Sequence, residues 1–191
     1  MLLWVGLGNP EPGMARQRHN IGFMAVEAIA TRHGFSPWKP RFKGLACEGR
    51  VGTQKLLLLK PMTYMNLSGA AVQEAANFYK IPPADITVFH DELDLVCGKL
   101  RIKKGGGNAG HNGLRSTEQR LASPDYWRVR LGIGHPGDKA RVTSWVLGDF
   151  SKADQDWVQP MLQAIADESA LLADGQPEMF MTRVAALAPP K

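Results

Sequence analysis

Five histidines occur among the 191 residues, and one stands where a catalytic base belongs. His19 lies between Arg18 and Asn20, on a loop leaving an apolar first strand and just ahead of a helical run. An imidazole titrates near neutrality and can act as a general base there. A carboxylate could orient it. His90-Asp91-Glu92-Leu93-Asp94 follows the apolar run Ile86–Phe89, and α/β folds place chemistry at the ends of such strands. Asn9, Asn66 and Asn112 stand at element ends, where side-chain amides either bind a substrate carbonyl or merely cap and turn the chain. His33 reads as a complement to a helix C-terminus, His135 as a turn residue, and His111 as a loop residue.

Other chemistries fit less well. There is no Gly-x-Ser-x-Gly elbow. Cys47 and Cys97 have no adjacent base, no metal spacing and no disulfide framework. His90, Asp91, Glu92 and Asp94 could be imagined around a metal, but acidic clusters at strand ends are usually turn-formers and no HExxH spacing supports one. What survives is a metal-free and cofactor-free site in which a histidine activates water, a carboxylate orients the ring and amides hold a carbonyl.

A second feature is KKGGGNAGHNG, Lys103–Gly113, followed by the helix-like LRSTEQRLA. A glycine-rich loop feeding a helix N-terminus can cradle an anion with free amides and the helix dipole. It can equally be a flexible surface loop in which Asn112 caps the helix. It is not a Walker motif, and GLGNPEPG is not a dinucleotide fingerprint, because Glu11 replaces the third glycine.

These residues need elements to hold them. Leu2–Leu7 reads as a buried strand, and Ile21–His33 as a helix stopped by Gly34. Trp38–Phe42, with its prolines, reads as a loop. Leu45–Val51 and Lys55–Lys60 form a hairpin around Gly52-Thr53-Gln54, and the apolar run Leu56–Leu59 marks its second strand as central. A helix follows over Gly69–Tyr79, and a strand over Asp85–Phe89. Lys99–Lys104 and Trp127–Ile133 alternate. Lys99, Arg101 and Lys103 share one face, as do Arg128 and Arg130, so in a common sheet they would build an electropositive wall. Helices over Asp154–Leu172 and near Pro177–Leu187 complete the chain. The expectation is a single α/β domain with a twisted, mixed β-sheet flanked by helices.

Composition agrees. Hydrophobic residues make up 44% and charged residues 21%, values of a globular domain. No apolar run approaches a membrane span, and MLLWVGLGNP lacks the features of a secretory signal, so a cytoplasmic protein is expected. Residues 149–191 hold three Lys/Arg and seven Asp/Glu, leaving 20 and 11 in the first 148. The basic excess lies with the glycine loop, which points to a phosphate-bearing partner.

Taken together, VGLGNPEPG, RHNIGF, KPMTYMNLSG, HDELDL, GGGNAGHNGLRS and RVRLGIGHPGD resemble the bacterial-type peptidyl-tRNA hydrolase family, in the family's order from Val5 to about Phe150. The final helical segment matches more loosely. The resemblance implies hydrolysis of the ester between a nascent peptide and the 3′ ribose of tRNA. It implies His19 as the catalytic histidine and Asp91 as its carboxylate partner. It further implies Asn9 and Asn66 as amides on the peptide and its carbonyl, Asn112 as a holder of the water or oxyanion, Met65 as a groove residue and His111 as a rim residue. Lys103 and Arg130 correspond to a basic pair on the tRNA 5′ phosphate, and they lie on the two strands already singled out for alternating charge. Met14 and Gln17 depart from the family's Tyr and Thr, and NPEPG from its Asn-Pro-Gly. The competing reading is a non-catalytic RNA-binding relative that kept the fold and the wall. A monomer is expected, as nothing marks an interface.

Overall fold

The computed structural model describes residues 1–191. The elements in chain order are β1 (Leu2–Gly6), α1 (Ile21–Arg32), β2 (Lys39–Arg41), β3 (Gly44–Val51), β4 (Gln54–Pro61), α2 (Ser68–Tyr79), β5 (Ile86–Glu92), β6 (Leu100–Lys104), α3 (Asn112–Leu121), β7 (Trp127–Gly132), α4 (Val142–Val146), α5 (Gln155–Ala173) and α6 (Pro177–Leu187). Seven strands form one sheet in the order β2-β3-β4-β1-β5-β7-β6. β4, β1, β5 and β7 run parallel, while β2, β3 and β6 are joined antiparallel at the two edges.

The period of two along each strand sorts side chains to opposite faces. Leu56 and Leu58 of β4 join one core with Trp4 and Phe89, covered by α1, α5 and α6. Leu57 and Leu59 join the other with Leu3, Val5 and Val88, covered by α2 and α3. All four leucines are fully buried, as expected for an apolar run in a strand with neighbours on both edges and helices on both faces.

Three differences from the sequence reading are local. Trp38–Phe42 is not all loop, because Lys39–Arg41 pairs with Gly44–Ala46, with Phe42 and Lys43 turning the chain at φ 54° and 56°. The hairpin turn is Gly52-Thr53 alone, since Val51 pairs with Gln54. β5 runs on through His90, Asp91 and Glu92, which pair with Arg130, Leu131 and Gly132, so the acidic stretch begins within the sheet.

The carboxyl ends of β4, β1 and β5 point the same way and carry Met65, Asn9 and Asp91. Helix α1 enters directly above them. A Cβ on Gly22 would lie 2.3 Å from the Phe89 carbonyl oxygen, and one on Gly6 would lie 2.2 Å from that of Gly22. Only glycines permit this approach of helix to strands, and it brings the preceding residue pair, His19-Asn20, over the end of β5.

Candidate active site

His19 sits on a 3-10 turn, Arg18–Asn20, that runs into α1. The turn is tied down from behind: the Arg18 amide donates to Gly148 at 3.0 Å and the Phe150 amide to Arg16 at 3.0 Å. The Arg18 guanidinium lies 3.7 Å from the centre of the Trp145 ring and donates to the Trp145 carbonyl at 3.1 Å. That tryptophan lies on the short helix α4, which was unforeseen in the sequence.

His19 Nδ1 lies 2.7 Å from Asp91 Oδ2. Burial disfavours the charged imidazole, but the Asp91 charge and hydrogen bond outweigh it, so the His19 pKa is raised above its ordinary value. Burial likewise pushes against ionisation of Asp91. The two histidines beside it prevail and hold its carboxyl well below the usual carboxylate range. The second of them is His111, whose Nε2 lies 2.7 Å from Asp91 Oδ1.

His111 is the N-cap of α3. Its Nδ1 accepts from the amides of Gly113 at 3.1 Å and Leu114 at 3.3 Å. This overturns two expectations. Asn112 is not the cap but the exposed first residue of the helix. The helix N-terminus is not an open anion cradle either, because the histidine already satisfies two of its free amides. The same bonds assign the tautomer: with Nδ1 accepting, the proton lies on Nε2 and is donated to Asp91.

Of the three asparagines, Asn9 alone is buried. Asn9 Oδ1 accepts from the Met65 amide at 2.9 Å, which orients the Asn9 NH2 group as its remaining donor. Met65 is buried, and a Cβ on Gly113 would come within 2.6 Å of its sulfur, so Met65 packs the first loop against α3. Asn66, on the turn Met65–Leu67, is exposed like Asn112.

Two residues have supporting roles that were not assigned to them from sequence. Asn20 is 1% exposed, and its amide accepts from the Asn9 amide at 2.9 Å and donates to the Asn9 carbonyl at 3.0 Å. Its place immediately after His19 was the only signal. His90 is fully enclosed, its Nδ1 bonded to the Asp91 carbonyl at 2.8 Å and its Nε2 without a partner. Burial first, then neighbouring His111, pushes its pKa down to about 3, so it is neutral.

The metal set considered from sequence does not assemble. Glu92 is bonded to Arg130 and His90 points inward. Ligand-type atoms of His19, Asp91 and His111 do converge within 4.8 Å, but each Asp91 oxygen receives a ring nitrogen at hydrogen-bond distance.

The basic wall is real but smaller than expected. β6 and β7 pair with Arg101 opposite Arg130 and Lys103 opposite Arg128. Arg128, however, is 2% exposed. Its guanidinium reaches under the glycine loop to the Gly107 carbonyl, to Glu118 at 2.9 Å and to the Pro124 carbonyl at 3.2 Å. It supports the loop rather than facing a ligand. Arg101, Lys103 and Arg130 form the outer surface, with Arg130 braced by Glu92 at 2.9 Å and Lys103 lying along Gly106.

Known proteins share this chain's sequence pattern and fold. The sequence model of the family described as peptidyl-tRNA hydrolase matches residues 3–190. The peptidyl-tRNA hydrolase of Gluconobacter oxydans is 67% identical over 188 residues, covering 98% of this chain and all of that one. That of Acidiphilium cryptum is 66% identical over 187 residues, covering 98% and 97%. The crystal structure of peptidyl-tRNA hydrolase from Acinetobacter baumannii superposes with a TM-score of 0.91 at 40% identity, over 99% of this chain and 96% of that one. The chain belongs to the peptidyl-tRNA hydrolase family.

Proposed function

We propose that this protein hydrolyses the ester joining a peptide to the 3′ ribose of tRNA, with His19 as the base and Asp91 as its orienting partner. The observation that carries the reading is the 2.7 Å contact between His19 Nδ1 and Asp91. It keeps the proton of the neutral ring on Nδ1 and leaves the Nε2 lone pair free for water. Nε2 takes one proton as the water oxygen bonds to the ester carbonyl carbon. The tetrahedral intermediate then collapses, the carbon–ribose oxygen bond breaks, and the imidazolium returns the proton to the leaving ribose oxygen. The amides of Asn9, Asn66 and Asn112 donate to the carbonyl oxygen as negative charge develops there. Met65 lines the peptide groove.

Lys103 and Arg130 are the proposed grip on the tRNA 5′ phosphate. Phosphate contact of this kind is salt-dependent and tolerant of tRNA identity. The chain is proposed to work as a cytoplasmic monomer, and no helix is long and apolar enough to cross a membrane. A non-catalytic RNA-binding relative would have no use for a hydrogen-bonded His–Asp pair.

The test is release of N-acetyl-aminoacyl groups from charged tRNA, wild type beside His19→Ala, with a chelator present throughout. Rapid wild-type release with a loss of about 10²–10⁴-fold in the variant supports the reading. Retained activity in the variant, or abolition by the chelator alone, refutes it.

A further inference from the structure

We propose that His111 is a positioning residue that sets the basicity of His19 through the carboxylate they share, and that it ties this setting to the N-terminus of α3. The inference rests on the reading of His19 as base. A histidine that binds substrate needs a ring nitrogen to offer. His111 has none to spare, because Nδ1 is engaged by the amides of Gly113 and Leu114 and Nε2 by Asp91. Its side chain is 11% exposed. The ring is also held by its neighbours, with the rings of His19 and His90 each centred 5.2 Å away.

The consequence follows from charge. A donated hydrogen bond stabilises the Asp91 anion and draws its charge toward Oδ1, away from the oxygen that faces His19. The pull of Asp91 on the His19 proton is thereby weakened, and a larger fraction of His19 is the free base near neutral pH. The charged and titratable groups facing this pair are few. His19 meets Asp91 from β5 and His111 from the loop before α3, while the Arg18 guanidinium turns away to Trp145 and Asp154. His90, itself neutral, packs behind His111, with the charge of Arg128 of β7 beyond it.

The link to α3 is mechanical. His111 acts on Asp91 only while its other nitrogen caps the helix, and that cap closes the glycine loop that starts beside Lys103. A displacement of the loop therefore reaches the catalytic base through one side chain.

His111→Asn separates the roles, since asparagine is a good N-cap but is too short to reach Asp91 from there. The ring protons of His19 are followed by NMR titration in the substrate-free protein, alongside the pH profile of kcat/KM. We expect both midpoints to rise by about one pH unit, with kcat reduced near neutrality and KM within about twofold of wild type, by the effect of a lost hydrogen bond on its carboxylate partner. His111→Gln, whose longer amide can donate to Asp91, should bring the midpoint back toward wild type. An unmoved His19 titration with only KM raised would overturn the proposal and make His111 a substrate contact. Failure of His19 as the base would instead show as an active His19→Ala enzyme, which the titration does not depend on.

Discussion

The side-chain amide of Asn20 closes a ring of two hydrogen bonds with the backbone of Asn9, accepting at 2.9 Å and donating at 3.0 Å. The two residues leave different elements, Asn9 the end of β1 and Asn20 the turn that carries His19. The ring fixes the distance between the proposed base and one of the proposed carbonyl-binding amides.

Asn20→Ala should therefore cost activity without touching substrate. Two buried backbone groups of Asn9 lose their partners, a penalty of about 1–3 kcal/mol in stability. Chemical denaturation and kcat measured on the same preparation check this. A variant of wild-type stability and rate would mean that the Asn9 loop is held by other contacts.

The pH dependence follows from the sign of the His19 shift. Its pKa is raised, and activity needs the neutral ring, so kcat/KM should fall as pH drops through a midpoint above the ordinary ~6.5 of histidine. Asp91→Asn removes the charge that raises it, and the midpoint should move down while the maximal rate falls. A pH profile of both enzymes between 5 and 9 is the check, and a midpoint that does not respond to Asp91 would separate the observed titration from His19.

His90 predicts a stability effect of its own. Folded, it stays neutral down to about pH 3; unfolded, it binds a proton near ~6.5. The stability it contributes above pH 6.5 is lost as pH falls, at up to about 1.4 kcal/mol per unit between those values. Asp91, with its depressed pKa, adds the same trend only below its unfolded value near 3.8. His19 acts oppositely: its raised pKa contributes stability at low pH that is lost as pH rises through the folded value. Urea denaturation from pH 7 to 4 should show a shallower decline for His90→Gln than for wild type, and parallel declines would remove His90 as the cause.

Arg128 and Lys103 face each other across β6 and β7 but should behave as opposites. Arg128→Ala strips the loop carbonyl at Gly107 and the Glu118 carboxylate of a buried partner, and should destabilise the fold by about 3–5 kcal/mol. Lys103→Ala should leave stability unchanged, weaken tRNA binding and reduce the salt slope by about one. Thermal melts and filter binding at several salt concentrations distinguish the two.

What the sequence made legible was periodic or punctuated. The all-apolar Leu56–Leu59 announced a central strand, and the alternation of Lys99–Lys104 and Trp127–Ile133 placed basic residues on one face, as the register of β6 with β7 bears out. Alternation does not say which members of a face are covered, so Arg128 was indistinguishable from Arg130 until the glycine loop folded over it. The identity of the α3 cap was hidden for a related reason. Asparagine is the commoner cap by propensity, and only the tertiary position of Asp91 turns the His111 ring so that its other nitrogen meets the helix amides. Asn20 was overlooked because its partner is backbone, which carries no signature in sequence.

The central claim is that an imidazole at position 19 removes the proton from water. Chemical rescue tests it most directly: His19→Ala is saturated with N-acetyl-aminoacyl-tRNA, and single-turnover release is followed as free imidazole is added. The account predicts unchanged tRNA affinity, a rate lowered by about 10²–10⁴-fold, and recovery that grows with the concentration of neutral imidazole. Full activity in the variant without imidazole would contradict it, and so would a defect confined to tRNA binding.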